Sequence, residues 1–87
     1  MKEYSLTISS PDGNYFQGNV VALYVRGTEG ELAVLAGHVP FVTAIVPCKV
    51  RFEFLDCTER VGQTQGGILS VDKDSVTLLS SSFEWIE

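Results

Sequence analysis

Apolar and polar residues alternate along most of this chain, and a period of two is the signature of strands with one buried face. Tyr4, Leu6 and Ile8 alternate with Ser5, Thr7 and Ser9, and Pro11-Asp12-Gly13-Asn14 then signals a turn. Tyr15 to Gln17 reads as a short strand closed by Gly18. Val20 to Arg26 is apolar at nearly every position, as in a strand covered on both faces. Thr28-Glu29-Gly30 marks a turn, and Glu31 to Leu35 a strand ended by Gly37. Pro40 and Pro47 bracket Phe41 to Val46, and proline cannot donate to a ladder, so this stretch is an edge or a strand boundary. Val50, Phe52 and Phe54 alternate cleanly with Lys49, Arg51 and Glu53. Asp56 to Glu59 forms a hairpin loop and Arg60 to Gln65 returns from it. Gly66-Gly67 breaks the chain, before strands at Ile68 to Val71 and Ser75 to Leu79. No stretch repeats apolar residues at helical spacing over ten or more positions. Many short strands at regular spacing predict an all-β sandwich or barrel. In the tail from Ser80 to Glu87 the alternation fails; serines followed by acids are the residues that cap and open a helix.

With 87 residues the chain is one domain with a modest core, leaving little room for an enzyme cleft beside it. Hydrophobic residues make up 45%, a globular value. The formal net charge is −5, and the six basic residues (Lys2, Arg26, Lys49, Arg51, Arg60 and Lys73) form no cluster in sequence. That argues against nucleic acid, whose phosphates need a basic patch. No apolar run of about 18 residues is present, and the N-terminus lacks a signal-peptide core, so a cytosolic location is expected. Were Cys48 and Cys57 on one strand they would lie roughly 30 Å apart, too far for a disulfide, which fits a reducing compartment.

Candidate chemistry is sparse. A lone histidine, His38, is a poor basis for a metal site, and no serine is selected by spacing to pair with it as a nucleophile. Gly66-Gly67 is not followed by the Lys-Ser/Thr of a phosphate loop and reads as a bulge or tight bend. Glu29 and Glu31 would share a face on a strand, as an acid–base pair or, more simply, a solvated rim. The residues alone therefore lead to a small acidic all-β domain with a contact role. An adaptor binding a peptide along an edge strand and a small hydrolase using His38 remain open.

A resemblance extends this reading. Gly30-Glu31-Leu32-Ala33-Val34-Leu35-Ala36-Gly37-His38-Val39-Pro40 resembles the Gly-Glu-Leu-Gly-Ile-Leu-Pro-Gly-His-x-Pro block of bacterial ATP synthase epsilon subunits. Ser10-Pro11-Asp12-Gly13, Tyr15-Phe16-Gln17-Gly18, Gly66-Gly67-Ile68-Leu69-Ser70-Val71 and Val76-Thr77-Leu78-Leu79 resemble further elements of that family in the same order. Ala36 replaces the usual proline, Cys48 follows Pro47 where glycine is frequent, and Gln65 stands where serine is usual. The resemblance implies a flattened sandwich or barrel of about ten short strands. It places that domain at 1–80, with 81–87 a tail or the start of a C-terminal helical hairpin that the family commonly carries. It implies a non-catalytic rotor subunit that docks the gamma subunit onto the c ring and couples ion-driven rotation to ATP synthesis. No cofactor is implied, nor ATP binding without the hairpin, and association with the cytoplasmic face of a bacterial plasma membrane is peripheral, through the ring. The implied c-ring contacts are Arg26, Gly27, Thr28, Glu29, Gly30, Glu31 and His38. The implied gamma contacts are Ser10, His38, Pro40, Phe41, Val42, Thr43, Ala44 and Ile45, with Phe41 and Val42 as interface anchors.

Overall fold

A computed structural model describes residues 2–37 and 39–86. Ten strands follow one another: β1 (Tyr4–Ser10), β2 (Gly13–Val20), β3 (Ala22–Gly27), β4 (Gly30–Leu35), β5 (Phe41–Ile45), β6 (Cys48–Glu53), β7 (Glu59–Thr64), β8 (Gly67–Val71), β9 (Ser75–Ser80) and β10 (Phe83–Trp85). Hydrogen bonding links them in the order β10-β7-β6-β3-β5-β8-β9-β1-β2, with β4 paired to β3. The path bends where β3 meets β5, because those strands share a single pair, Gly27 opposite Ile45. Two layers result, β4-β3-β6-β7-β10 and β5-β8-β9-β1-β2, and their inner faces pack as a sandwich.

The alternation explains the core. Leu6, Ile8, Val50, Phe52, Leu69, Val76 and Leu78 are buried at every second position of their strands. Phe16 of β2 lies 4.6 Å from the ring of Phe52, and Tyr15 lies 5.3 Å from Phe83, joining the layers. A bulge in β2 between the pairs Ile8–Phe16 and Ser9–Asn14 turns both adjacent rings into this cluster. Tyr4 is buried and donates its hydroxyl to the Val34 carbonyl at 2.7 Å. Burial, and secondarily Tyr24, pushes the pKa of that hydroxyl well up.

Three local expectations change. The apolar run from Val20 to Arg26 is not one strand: Val21 forms a corner between β2 and β3, its N–H bonded to the Glu53 carbonyl at 2.9 Å. Cys57 is not on a strand with Cys48; it sits in the turn after β6 at φ 72°, and both thiols are free. In that turn Thr58 donates its hydroxyl and N–H to Asp56, which holds the Asp56 carboxyl below its usual range. The serine-rich tail opens no helix within the described residues. Phe83–Trp85 instead pairs with β7, Phe83 opposite Thr64 and Trp85 opposite Gly62. The reason is packing: a side chain at Gly62 would collide with the Phe83 ring, so the glycine provides the notch that the ring fills. Arg60 then stacks 3.6 Å over Trp85.

Candidate docking surfaces

Register fixes what each layer shows to solvent. In the second layer Ala44 lies opposite Ile68, Ile68 opposite Leu79, and Leu79 opposite Ser9. The adjacent outward row is Val42, Ser70, Thr77, Thr7 and Gln17. Neither row carries a charge. Ile68 is 44% exposed, Leu79 53% and Val42 68%, so an apolar stripe crosses three strands.

The other layer differs in kind. Arg26 pairs with Glu31 at 3.5 Å, and Arg51 with Glu53 at 3.6 Å and Glu59 at 3.3 Å. The Arg51 guanidinium stacks 4.1 Å over Tyr24. An open hollow of about 560 Å³ there is lined by Arg26, Lys49 and Arg51 together with Glu31, Val61 and Ile86. Basic residues dispersed in sequence thus gather on one face, where neighbouring carboxylates neutralise Arg26 and Arg51. All ion pairs among the described residues belong to this layer.

The contact residues implied by sequence do not all fall on one surface. Arg26 and Glu31 face each other across β3 and β4, Gly27 faces Gly30, and Thr28 and Glu29 form the tip between them. Gly30 takes φ 122°, which a side chain would resist. Thr28, Glu29, Gly30 and Glu31 are exposed, whereas Gly27 is buried beneath β5, with the Ala44 carbonyl 3.4 Å from where its Cβ would stand. Glu29 lies in the turn and Glu31 on the strand, so the two do not share a strand face. On β5 alternation divides the implied strip. Val42 and Ala44 point outward into the uncharged rows. Phe41 and Thr43 belong to the inward parity and line a groove of about 320 Å³ against the β3–β4 tip. Ile45 is 4% exposed and is core rather than contact surface. Pro40 is exposed before the strand begins, and Ser10 ends β1, its hydroxyl accepting the Asp12 N–H at 3.1 Å. His38, and with it the hydrolase reading, lies outside the described residues.

Sequence reasoning did not single out Ile68, Ser70, Thr77 and Leu79, which the register places on the uncharged outer face. Adjacent Leu78 and Leu79 look alike in sequence, yet Leu78 is fully buried and Leu79 half exposed. The available signal was the absence of charge at every second residue of β8 and β9. Gly66-Gly67 is the bend it promised to be: Gly66 takes φ 110°, and a side chain at Gly67 would strike the Leu79 carbonyl.

These features define an all-β sandwich domain with one charged outer face, one uncharged outer face and an acidic hairpin tip between the layers. The chain belongs to the ATP synthase Delta/Epsilon chain, beta-sandwich domain family, whose model matches residues 3–86. Its structure is similar to a chain of the mitochondrial ATP synthase of Euglena gracilis, solved by cryo-EM as OSCP, F1 and c-ring in rotational state 1. The TM-score is 0.89 at 26% identity, covering 95% of this chain and 53% of that one. It shares its fold with a chain of the Tetrahymena thermophila mitochondrial ATP synthase central stalk and c-ring, at TM-score 0.79 and 12% identity, covering 95% of this chain and 66% of that one. The chain therefore spans about half the length of the Euglena chain, 53%.

Proposed function

We propose that this domain is a non-catalytic part of the central stalk of an F-type ATP synthase, seated between the gamma subunit and the c ring. The observation that carries the reading is the division of its surface. One outer face and the hairpin tip are charged, while on the other face Val42, Ala44, Ile68 and Leu79 form an uncharged stripe whose neighbouring charges lie only in the turns and at the start of β1. A gamma subunit would seat on the stripe, where desolvation costs little and shape sets affinity. The c ring would meet Thr28 to Glu31, where an acidic tip suits basic and polar loops and fixes register more than affinity. Membrane association is then peripheral, on the side of the coupling membrane that carries F1. The bacterial setting follows from the sequence resemblance, whereas both solved relatives are mitochondrial.

The mechanical role follows from packing. Two layers closed over an interdigitated core resist shear, so torque entering at the tip would leave at the stripe with little internal yielding. Calorimetry with purified gamma subunit tests the assignment. Val42→Asp puts a charge at the exposed centre of the stripe and is expected to weaken binding by about 30-fold or more, roughly 2 kcal/mol. Glu31→Lys is expected to leave gamma binding intact and to lower retention on c-ring-containing membranes. Gamma binding that ignores Val42→Asp would remove the reading.

A further inference from the structure

Strand β5 keeps an unpaired edge. Its ladder with β8 runs from Phe41–Val71 to Ile45–Gly67, whereas β3 meets it at the single pair Gly27–Ile45. One bond fixes which backbone groups lie on the open side. Val46 donates its N–H to the Arg26 carbonyl at 3.1 Å, so its amide faces β3. Backbone groups alternate sides along a strand, so those of Ala44 and Val42 face the same way, and those of Phe41, Thr43 and Ile45 face β8. The Ala44 carbonyl agrees, standing 3.4 Å from where a Cβ on Gly27 would be. One alternation further back, the N–H and carbonyl of Val42 border a groove of about 320 Å³ between β5 and the β3–β4 tip. Among the described residues no strand pairs with Val42 on that side. The groove follows β5 from Phe41 to Thr43, a length of roughly 10 Å at about 3.3 Å per strand residue, and Leu32 and Phe41 give it apolar walls.

We propose that the groove receives a short extended segment of the gamma subunit, which adds to β5 as a further strand, accepting a hydrogen bond from the Val42 N–H and donating one to the Val42 carbonyl. The inference rests on the docking reading above and gives that contact its mode. Val42 ties the two together: its side chain, 68% exposed, belongs to the uncharged stripe, and its backbone belongs to the groove. Apolar contact on the stripe is non-directional, so the added ladder would supply the register. Alternation sets the chemistry of the segment. The residue beside Val42 continues the uncharged outer row, and its two neighbours turn towards Leu32 and Phe41 and are apolar. A second copy of this chain fits less well, because its own tip would have to enter the same opening and set Glu29 and Glu31 of both copies against one another. No wall of the groove has to move.

The test reads the Val42 amide. Hydrogen exchange is followed by NMR on the isotope-labelled chain, free and with saturating purified gamma subunit, and the Val42 amide is expected to slow by about tenfold or more in the complex. In parallel, the Val42 amide is replaced by an ester, which removes the N–H and keeps the side chain. The ester is expected to weaken gamma binding by about tenfold in calorimetry, the effect of one lost hydrogen bond. An ester that binds gamma within about twofold of the parent, while Val42→Asp still weakens binding, would overturn the added strand and leave the docking reading standing. Should the ester unsettle β5, the exchange measurement on the unaltered chain decides: a Val42 amide that exchanges as fast in the complex as in the free chain overturns the inference. Protection by detergent-solubilised c ring and not by gamma would overturn the choice of occupant. Failure to bind gamma at all would overturn both readings.

Discussion

Replacing Ile68 and Leu79 together by threonine probes the uncharged face at its centre. The two lie opposite each other on β8 and β9 and are 44% and 53% exposed, so about half of each side chain remains to be covered by a partner. Full burial of such a residue contributes about 1.5–3 kcal/mol, so the exposed halves contribute roughly 1 kcal/mol each on docking. Threonine is β-branched, as strands favour, and removes most of the apolar area at both positions. Because the pair is in contact the effects are not strictly additive, but a loss of about 2 kcal/mol, or roughly 30-fold in Kd for gamma, is expected. Isothermal titration calorimetry measures it directly, with circular dichroism confirming a native fold. Val61→Thr on the charged layer serves as the matched control and is expected to leave affinity unchanged. A double variant that stays folded and binds gamma within about threefold of the parent would refute the assignment of this face.

Two further outcomes concern stability. Tyr4 titrates in the unfolded chain near pH 10, and burial raises its folded value. Below that pH both states hold the proton. Above it only the unfolded chain ionises, so stability falls by up to about 1.4 kcal/mol per pH unit. Urea titrations between about pH 9 and 11 should show this slope in the parent and not in Tyr4→Phe, which loses about 1 kcal/mol at neutral pH with the bond to Val34. Gly67→Ala would drive a methyl group into the Leu79 backbone carbonyl and is expected to cost about 3 kcal/mol in chemical denaturation. Gly18→Ala, meeting only the edge of the Phe16 ring at 3.0 Å, should cost less.

The strands were legible wherever alternation was strict. Val50, Phe52 and Phe54 against Lys49, Arg51 and Glu53 announce β6, and the inward side is as the pattern implies for Val50 and Phe52, both fully buried. Legibility failed where a pattern depends on a distant neighbour. Phe83 and Trp85 follow serines and precede acids, which locally suits a helix, but the notch that receives Phe83 is Gly62, on another strand. The run from Val20 to Arg26 conceals its corner because residues on both sides of Val21 are buried. The implied contact strip at Phe41 to Ile45 was treated as one surface. Only the register with β8 assigns Val42 and Ala44 to one side and Phe41, Thr43 and Ile45 to the other. Charge hid in the same way. Lys49 and Arg51 are far from Arg26 in sequence, and only the pairing of β3 with β6 brings them to one hollow.

The β1–β9 ladder is parallel, Leu6 opposite Val76 and Ile8 opposite Leu78, in a sheet otherwise paired antiparallel. These four residues are among the most deeply buried in the molecule. As the chain emerges during synthesis, its opening strand can form a hairpin with β2 but must wait for β9 before its other edge is satisfied. Hairpins such as β3–β4 and β6–β7 can assemble earlier from neighbouring residues. The rate of reaching the native state should therefore be governed by this late joining of distant segments, in the slow range of sandwiches dominated by non-local pairing. Until it occurs, the exposed edge of β1 is the site most open to pairing with another nascent chain.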